Sequence, residues 1–222
     1  MTAVDLDLPM PGSPTAGSSG KDSDANLVGS YATEGILEAV RTRIGWLSVF
    51  FIGLMLAAFV VESFEDVLKR EVELSYFVPL LIGHGGNTGS QAVSSVIRAL
   101  ALKQVRPRDV IMVAIKESST GMLMGIALGL LIYLLSAVWS GMIQSVGVVV
   151  AIALPLVSLW SNLLGGLLPL LSAAFGTNPA VTAAPLMTTI VDSTGLVIYF
   201  VIARMVLGTI GADKAVHVPA VA

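Results

Sequence analysis

The chain has 222 residues, of which 55% are hydrophobic and only 12% charged, and its mean hydropathy is +0.87. Soluble domains are about 25% charged, so this composition excludes an ordinary soluble domain and points to a polytopic helical membrane protein. A net charge of −3 with no basic face argues against nucleic acid as a partner, and the absence of cysteine removes disulfides and thiolate metal sites.

Residues 1–30 (MTAVDLDLPMPGSPTAGSSGKDSDANLVGS) are acidic and rich in Pro, Gly and Ser, which predicts a disordered tail. The segment has neither a basic n-region nor an apolar h-region, so it does not read as a cleavable signal peptide. Residues 31–43 read as an amphipathic lead-in. A membrane domain is expected over 44–210, followed by a short tail over 211–222. Its continuous apolar runs lack the period-2 alternation of a transmembrane barrel. They predict an all-α fold with five transmembrane helices, at about 44–62, 75–102, 110–138, 145–174 and 181–210.

Basic residues near the span ends set the orientation. Arg41 and Arg43 precede the first span, and Lys103, Arg106 and Arg108 lie between the second and third. This predicts a cytoplasmic N-terminus and an outside C-terminus in the cell membrane, with Lys69 and Arg70 arguing the other way.

The second span contains VPLLIGHGGNTGSQAVSSVIRAL. Gly83, Gly85, Gly86 and Gly89 weaken a helix, and Pro79 precedes them. A break in the helix is expected here, with Asn87, Gly86 and Gln91 facing a polar pathway. His84 beside the break reads as a group that titrates or binds metal, or as an ordinary packed histidine. In the third span, Gly121, Gly125 and Gly129 recur every four residues and predict a close packing seam, within or between protomers. Lys116 and Glu117 stand near its inner end. They read as snorkelling side chains, with Glu117 as a candidate for an acidic cytoplasmic mouth.

The fifth span carries the most informative residue, Asp192, in MTTIVDSTGLVIYF. A carboxylate near mid-bilayer costs about 2.5–3.5 kcal/mol on insertion scales. Thr188 and Thr189 precede it by about one turn, Gly195 follows by one and Tyr199 by two, a small and polar stripe on an apolar helix. The hydroxyls are able to bond the carboxylate or a hydrated ion, the glycine to leave room for water, and Pro185 to free a carbonyl. Two such carboxylates facing each other stay ionised only if a cation neutralises them, and a hard divalent ion would do so. Five helices without an inverted repeat hardly enclose a pore, so a homodimer with its path on the two-fold axis is expected.

These residues resemble the MgtE family of magnesium channels. PLLIGHGGNTGSQAVSSVIRALAL is similar to the second membrane helix of that family, KESSTGMLMGIALGL to the third, and NPAVTAAPLMTTIVDSTGLVIYF to the fifth. The resemblance covers about residues 44–210. It implies five helices per protomer, a homodimer in a lipid bilayer and a central Mg²⁺ path, with Mn²⁺ and Co²⁺ as substitutes. It also implies that Asp192 is the ion-site aspartate, that Thr188 and Gly195 flank the ion, and that Asn87 faces the pore. Ala184 stands where many members carry Asn, so one side-chain oxygen is missing there. About 40 residues precede the first span, fewer than the cytoplasmic helical and CBS domains usual in the family, and a stand-alone membrane half without that regulation is expected.

No Ser/His pair and no paired aspartates suggest an enzyme. Divalent cation transport by a channel is therefore the expected function. A proton- or sodium-coupled carrier of the same fold is the alternative, and a non-transporting scaffold would leave Asp192 without a role.

Overall fold

The computed structural model describes residues 35–138 and 143–216, and the tail expected over 1–30 lies outside them. Among the described residues the chain is all-helical. It forms α1 (Ile36–Ser63), α2 (Glu65–Arg70), α3 (Leu74–Ala101), α4 (Val110–Val138), α5 (Gln144–Ala174) and α6 (Pro179–Val216). The five long helices fall on the five expected segments, though α1 begins earlier and α6 runs beyond position 210.

Val110–Val138, Gln144–Ala174 and Pro179–Gly208 are each long and apolar enough to cross a membrane, and Ile36–Gly45 with Leu47–Ser63 makes a fourth if taken as one span. α3 has the length, 28 residues, but Gly, His, Asn, Gln, Ser and Arg dilute its apolar run. Packing divides the chain into residues up to Ile44 and a second unit from Gly45 onward, which contains the bundle.

α5 is the hub of that bundle and packs against α3, α4 and α6. With α3 and α6 it buries Leu74, Leu81, Val149, Val157, Leu196 and Phe200. Lipid is as apolar as leucine, so helix association in a bilayer depends on close packing and internal hydrogen bonds rather than on hydrophobic burial. The contacts follow that rule. Gly121, Gly125 and Gly129 all face α5, which makes the predicted seam one within the chain. A Cβ on Gly129 would sit 2.5 Å from the carbonyl oxygen of Ala151, and one on Gly125 would meet the backbone of Pro155. Pro155 lacks an N–H, so the Ala151 carbonyl four residues earlier is left free for the approaching Gly129. The opposite face of α4 exposes Ile111, Leu123, Leu130 and Leu134, an apolar surface suited to lipid.

The expected break in α3 is absent. The helix is continuous from Leu74 to Ala101, with Pro79 inside it. Its glycines serve packing instead: a Cβ on Gly85 would lie 2.8 Å from Val191 and 3.2 Å from Ser161, and a Cβ on Gly165 would meet the Gly89 carbonyl. The cost of glycine in a helix, about 1 kcal/mol each, is offset by letting α5 and α6 approach the α3 backbone.

Hydrogen bonds place the helix ends. Ile143 N–H donates to Glu73 at 3.2 Å, and the Tyr199 hydroxyl donates to the Leu74 carbonyl at 3.0 Å. On α2, Asp66 accepts from Arg204 of α6 at 2.8 Å, and the same guanidinium lies 5.6 Å above the Phe64 ring. These contacts collect the α2–α3 junction, the start of α5 and the later turns of α6 at one end. The α3–α4 and α5–α6 connections form the other end, where Val96, Val113 and Leu170 cluster beside Val105.

Candidate metal-ion site

Asp192 lies near the middle of the apolar Pro179–Gly208 stretch and is half-buried. Its carboxylate forms no hydrogen bond or ion pair among the described residues. No buried side-chain oxygen among those residues lacks a partner, so the Asp192 oxygens reach the surface of the single chain.

The threonine hydroxyls do not bond the Asp192 carboxylate, one of the two roles expected of them, but donate to the backbone about one turn before their own positions. Thr188 and Thr189 each donate to the Pro185 carbonyl at 2.9 Å. A hydroxyl whose proton is committed in this way presents only lone pairs outward, which suits it to accept from water rather than to bind an anion. The two methyl groups then diverge. Thr188 faces α3, its methyl 3.7 Å from where a Cβ on Gly86 would stand. Thr189 turns to α1, where its methyl fills the space over Gly53, and Ser193 donates to the Gly53 carbonyl at 3.3 Å.

Gly195 is buried, and a Cβ there would lie 3.6 Å from Val157 of α5. That is ordinary contact distance, so the backbone there is not pressed against a neighbouring helix as it is at Gly165. Ala184 packs at the edge of the Val93–Met187–Val191 cluster. Tyr199 is wholly buried and spends its hydroxyl on Leu74, so it belongs to the core and not to a polar stripe.

On α3, Gly86 adjoins Thr188, while Asn87, Gln91, Ser94 and Arg98 are exposed along one face. The fold thus sets Thr188, one turn before Asp192 on α6, against Gly86 of α3, and leaves Asn87 exposed on α3. Glu117 is separate. It is 8% exposed and lies against α5, its Cγ 3.0 Å from where a Cβ on Gly166 would be. Among the described residues no three His, Cys, Asp or Glu side chains gather to hold a metal ion. One chain therefore offers a single carboxylate and neutral oxygens at Asp192.

Two polar pairs near this region carry no sequence signal. Trp160 Nε1–H of α5 donates to Thr194 at 2.7 Å, and His84 Nε2 lies 2.6 Å from Ser158 Oγ. Ser158 in turn donates to the Leu154 carbonyl at 2.6 Å. His84 is thus a packed histidine that ties α3 to α5. Trp160 braces the turn of α6 that follows Asp192.

The profile of MgtE, a divalent cation transporter family, matches residues 78–202. The chain is 36% identical over 177 residues to the magnesium transporter MgtE of Thermus thermophilus, covering 80% of this chain and 39% of that protein. It is 33% identical over 175 residues to the magnesium transporter MgtE of Bacillus subtilis, covering 78% and 38%. The corresponding protein of Enterococcus faecalis is 32% identical over 174 residues. The chain spans about two fifths of the length of these curated relatives.

Proposed function

The chain belongs to the MgtE family of divalent cation transporters, and from that premise we propose that it carries Mg²⁺ across the cell membrane as a homodimer with Asp192 at the ion site. The observation that carries this reading is the Asp192 carboxylate itself. It lies midway along an apolar helix with no cation or donor among the described residues to offset its cost. Two copies related by a two-fold axis would supply two carboxylates, and a divalent ion between them would balance both charges.

Mg²⁺ holds its waters tightly and is seldom stripped of them by protein ligands. A hydrated ion offers outward-pointing water hydrogens and needs acceptors. Asp192 supplies them, and Thr188 adds lone pairs because its proton already goes to Pro185. Asn87, with Gln91 one turn further, would extend the polar lining along α3. Selectivity then rests on ring size and charge density around an ion that keeps its water shell.

The polar face of α3 supports a second copy. Asn87 and Gln91 are exposed on the single chain, and at membrane depth such groups need protein or water beside them. The basic residues of the α3–α4 connection favour a cytoplasmic setting for that end, with a cytoplasmic N-terminus and a C-terminus outside.

The test is ion uptake into proteoliposomes by wild type, Asp192→Ala and Asp192→Asn. Mg²⁺ uptake by wild type, with background uptake by both variants, is the expected result. Insensitivity to an imposed proton gradient is expected of a channel. Wild-type rates in Asp192→Asn would overturn the proposed site.

A further inference from the structure

At the end of the bundle formed by the α3–α4 and α5–α6 connections lies an open cleft of about 480 Å³, within the ~300–1,000 Å³ range of small-molecule sites. Its walls are apolar, formed by Ile97 and Leu100 of α3 and by Ala173 and Pro179 at the α5–α6 connection. Its rim carries Lys103 and Arg106, both exposed. Neither side chain forms an ion pair among the described residues. The nearby acid, Asp109, is engaged with the backbone, accepting from the Arg106 N–H at 2.8 Å.

The backbone holds Lys103 in an unfavourable conformation. α3 ends in a Schellman turn in which Gln104 N–H reaches Ala99 at 2.9 Å and Lys103 N–H reaches Leu100 at 3.0 Å. This turn requires a left-handed residue, and Lys103 takes it with φ 55°. α5 ends in the same turn, with Thr177 N–H on Ser172 at 2.9 Å, and there the left-handed position is filled by Gly176, φ 70°. Glycine is the usual residue at this place because a Cβ is strained there. A lysine kept in that position beside a cleft is a local cost that points to a use for its charge.

We propose that this cleft binds an anionic phospholipid, its phosphate against Lys103 and Arg106 and the start of an acyl chain along Ile97, Leu100 and Ala173. The shared chemistry with a free phosphate is the anion. The apolar walls, at the end of helices able to cross a membrane, favour the lipid.

The test titrates the full chain in neutral detergent with fluorescent phosphatidylglycerol, competed by unlabelled phosphatidylglycerol, phosphatidylcholine or inorganic phosphate. Phosphatidylglycerol is expected to compete at least about tenfold better than phosphatidylcholine, and phosphate alone not at all. Arg106→Gln and Lys103→Gly should each weaken binding about fivefold, the weight of one basic side chain toward an anionic membrane. Ala173→Phe, which leaves both cations in place and fills the cleft, should also weaken it. Lys103→Gly separates this from a folding defect: relieving the left-handed strain should raise the melting temperature in neutral detergent while lipid binding falls. Equal competition by the two lipids, competition by phosphate alone, or unchanged lipid affinity in both charge variants would overturn the proposal.

Discussion

Asp192 was legible because an ionisable residue inside a long apolar run needs a reason wherever the run folds. Its surroundings were not legible. Thr188 and Thr189 are adjacent in sequence and share the Pro185 carbonyl, yet one faces α3 and the other α1. Sequence spacing put both beside the ion, and only the positions of α1 and α3 separate them. Replacing Asp192 with Asn should therefore stop Mg²⁺ uptake without lowering the melting temperature, because the carboxylate makes no hydrogen bond among the described residues. Tyr199 behaves in the opposite way. Removing its buried hydroxyl leaves the Leu74 carbonyl without that partner, so Tyr199→Phe should cost about 1–2 kcal/mol. A lowered melting temperature with ion selectivity unchanged would check that it is structural.

The helices divide their small residues by function. In α3, a Cβ added at Gly83 would meet nothing within 4 Å, whereas α5 meets α3 backbone to backbone at Gly165 and Gly89. Gly83→Ala should stabilise the continuous helix by about 0.5–1 kcal/mol. Gly165→Ala should destabilise by about 1–3 kcal/mol, since neither backbone can withdraw without repacking. Thermal melts of the two variants should move in opposite directions, and an unstable Gly83→Ala would argue for the broken helix expected from composition. At the other end, the bond from Arg204 holds the exposed Asp66 carboxyl below its ordinary value of 3.8. A carboxylate lowered in the folded state stabilises above its unfolded value, and that contribution fades as the pH falls through the folded one. Solvent screening keeps the effect small. Asp66→Asn should melt slightly below wild type at pH 7, and the two should converge as the pH is taken below 3.8.

One copy of the chain presents Asp192 singly and leaves the polar face of α3 exposed, so the functional unit proposed here depends on a second copy. The absence of cysteine makes this directly testable. Gln91→Cys, on the polar face, should form a disulfide-linked dimer under mild oxidation, while Leu131→Cys, on the lipid-suited face of α4, should not. Cross-linking at Leu131 alone would place the interface elsewhere. Apolar length, charge scarcity and the carboxylate at Asp192 are properties of single segments. They pointed to the helical class and the five long segments, and they singled out Asp192, without any knowledge of neighbours. The fate of the α3 glycines, the direction of the α4 seam, the burial of Tyr199 and the cleft beneath Lys103 are properties of pairs of segments. A glycine weakens an isolated helix, yet it is also where two helices approach most closely. Which effect prevails depends on whether another backbone fills the space, and that is set by contacts between residues far apart in the chain.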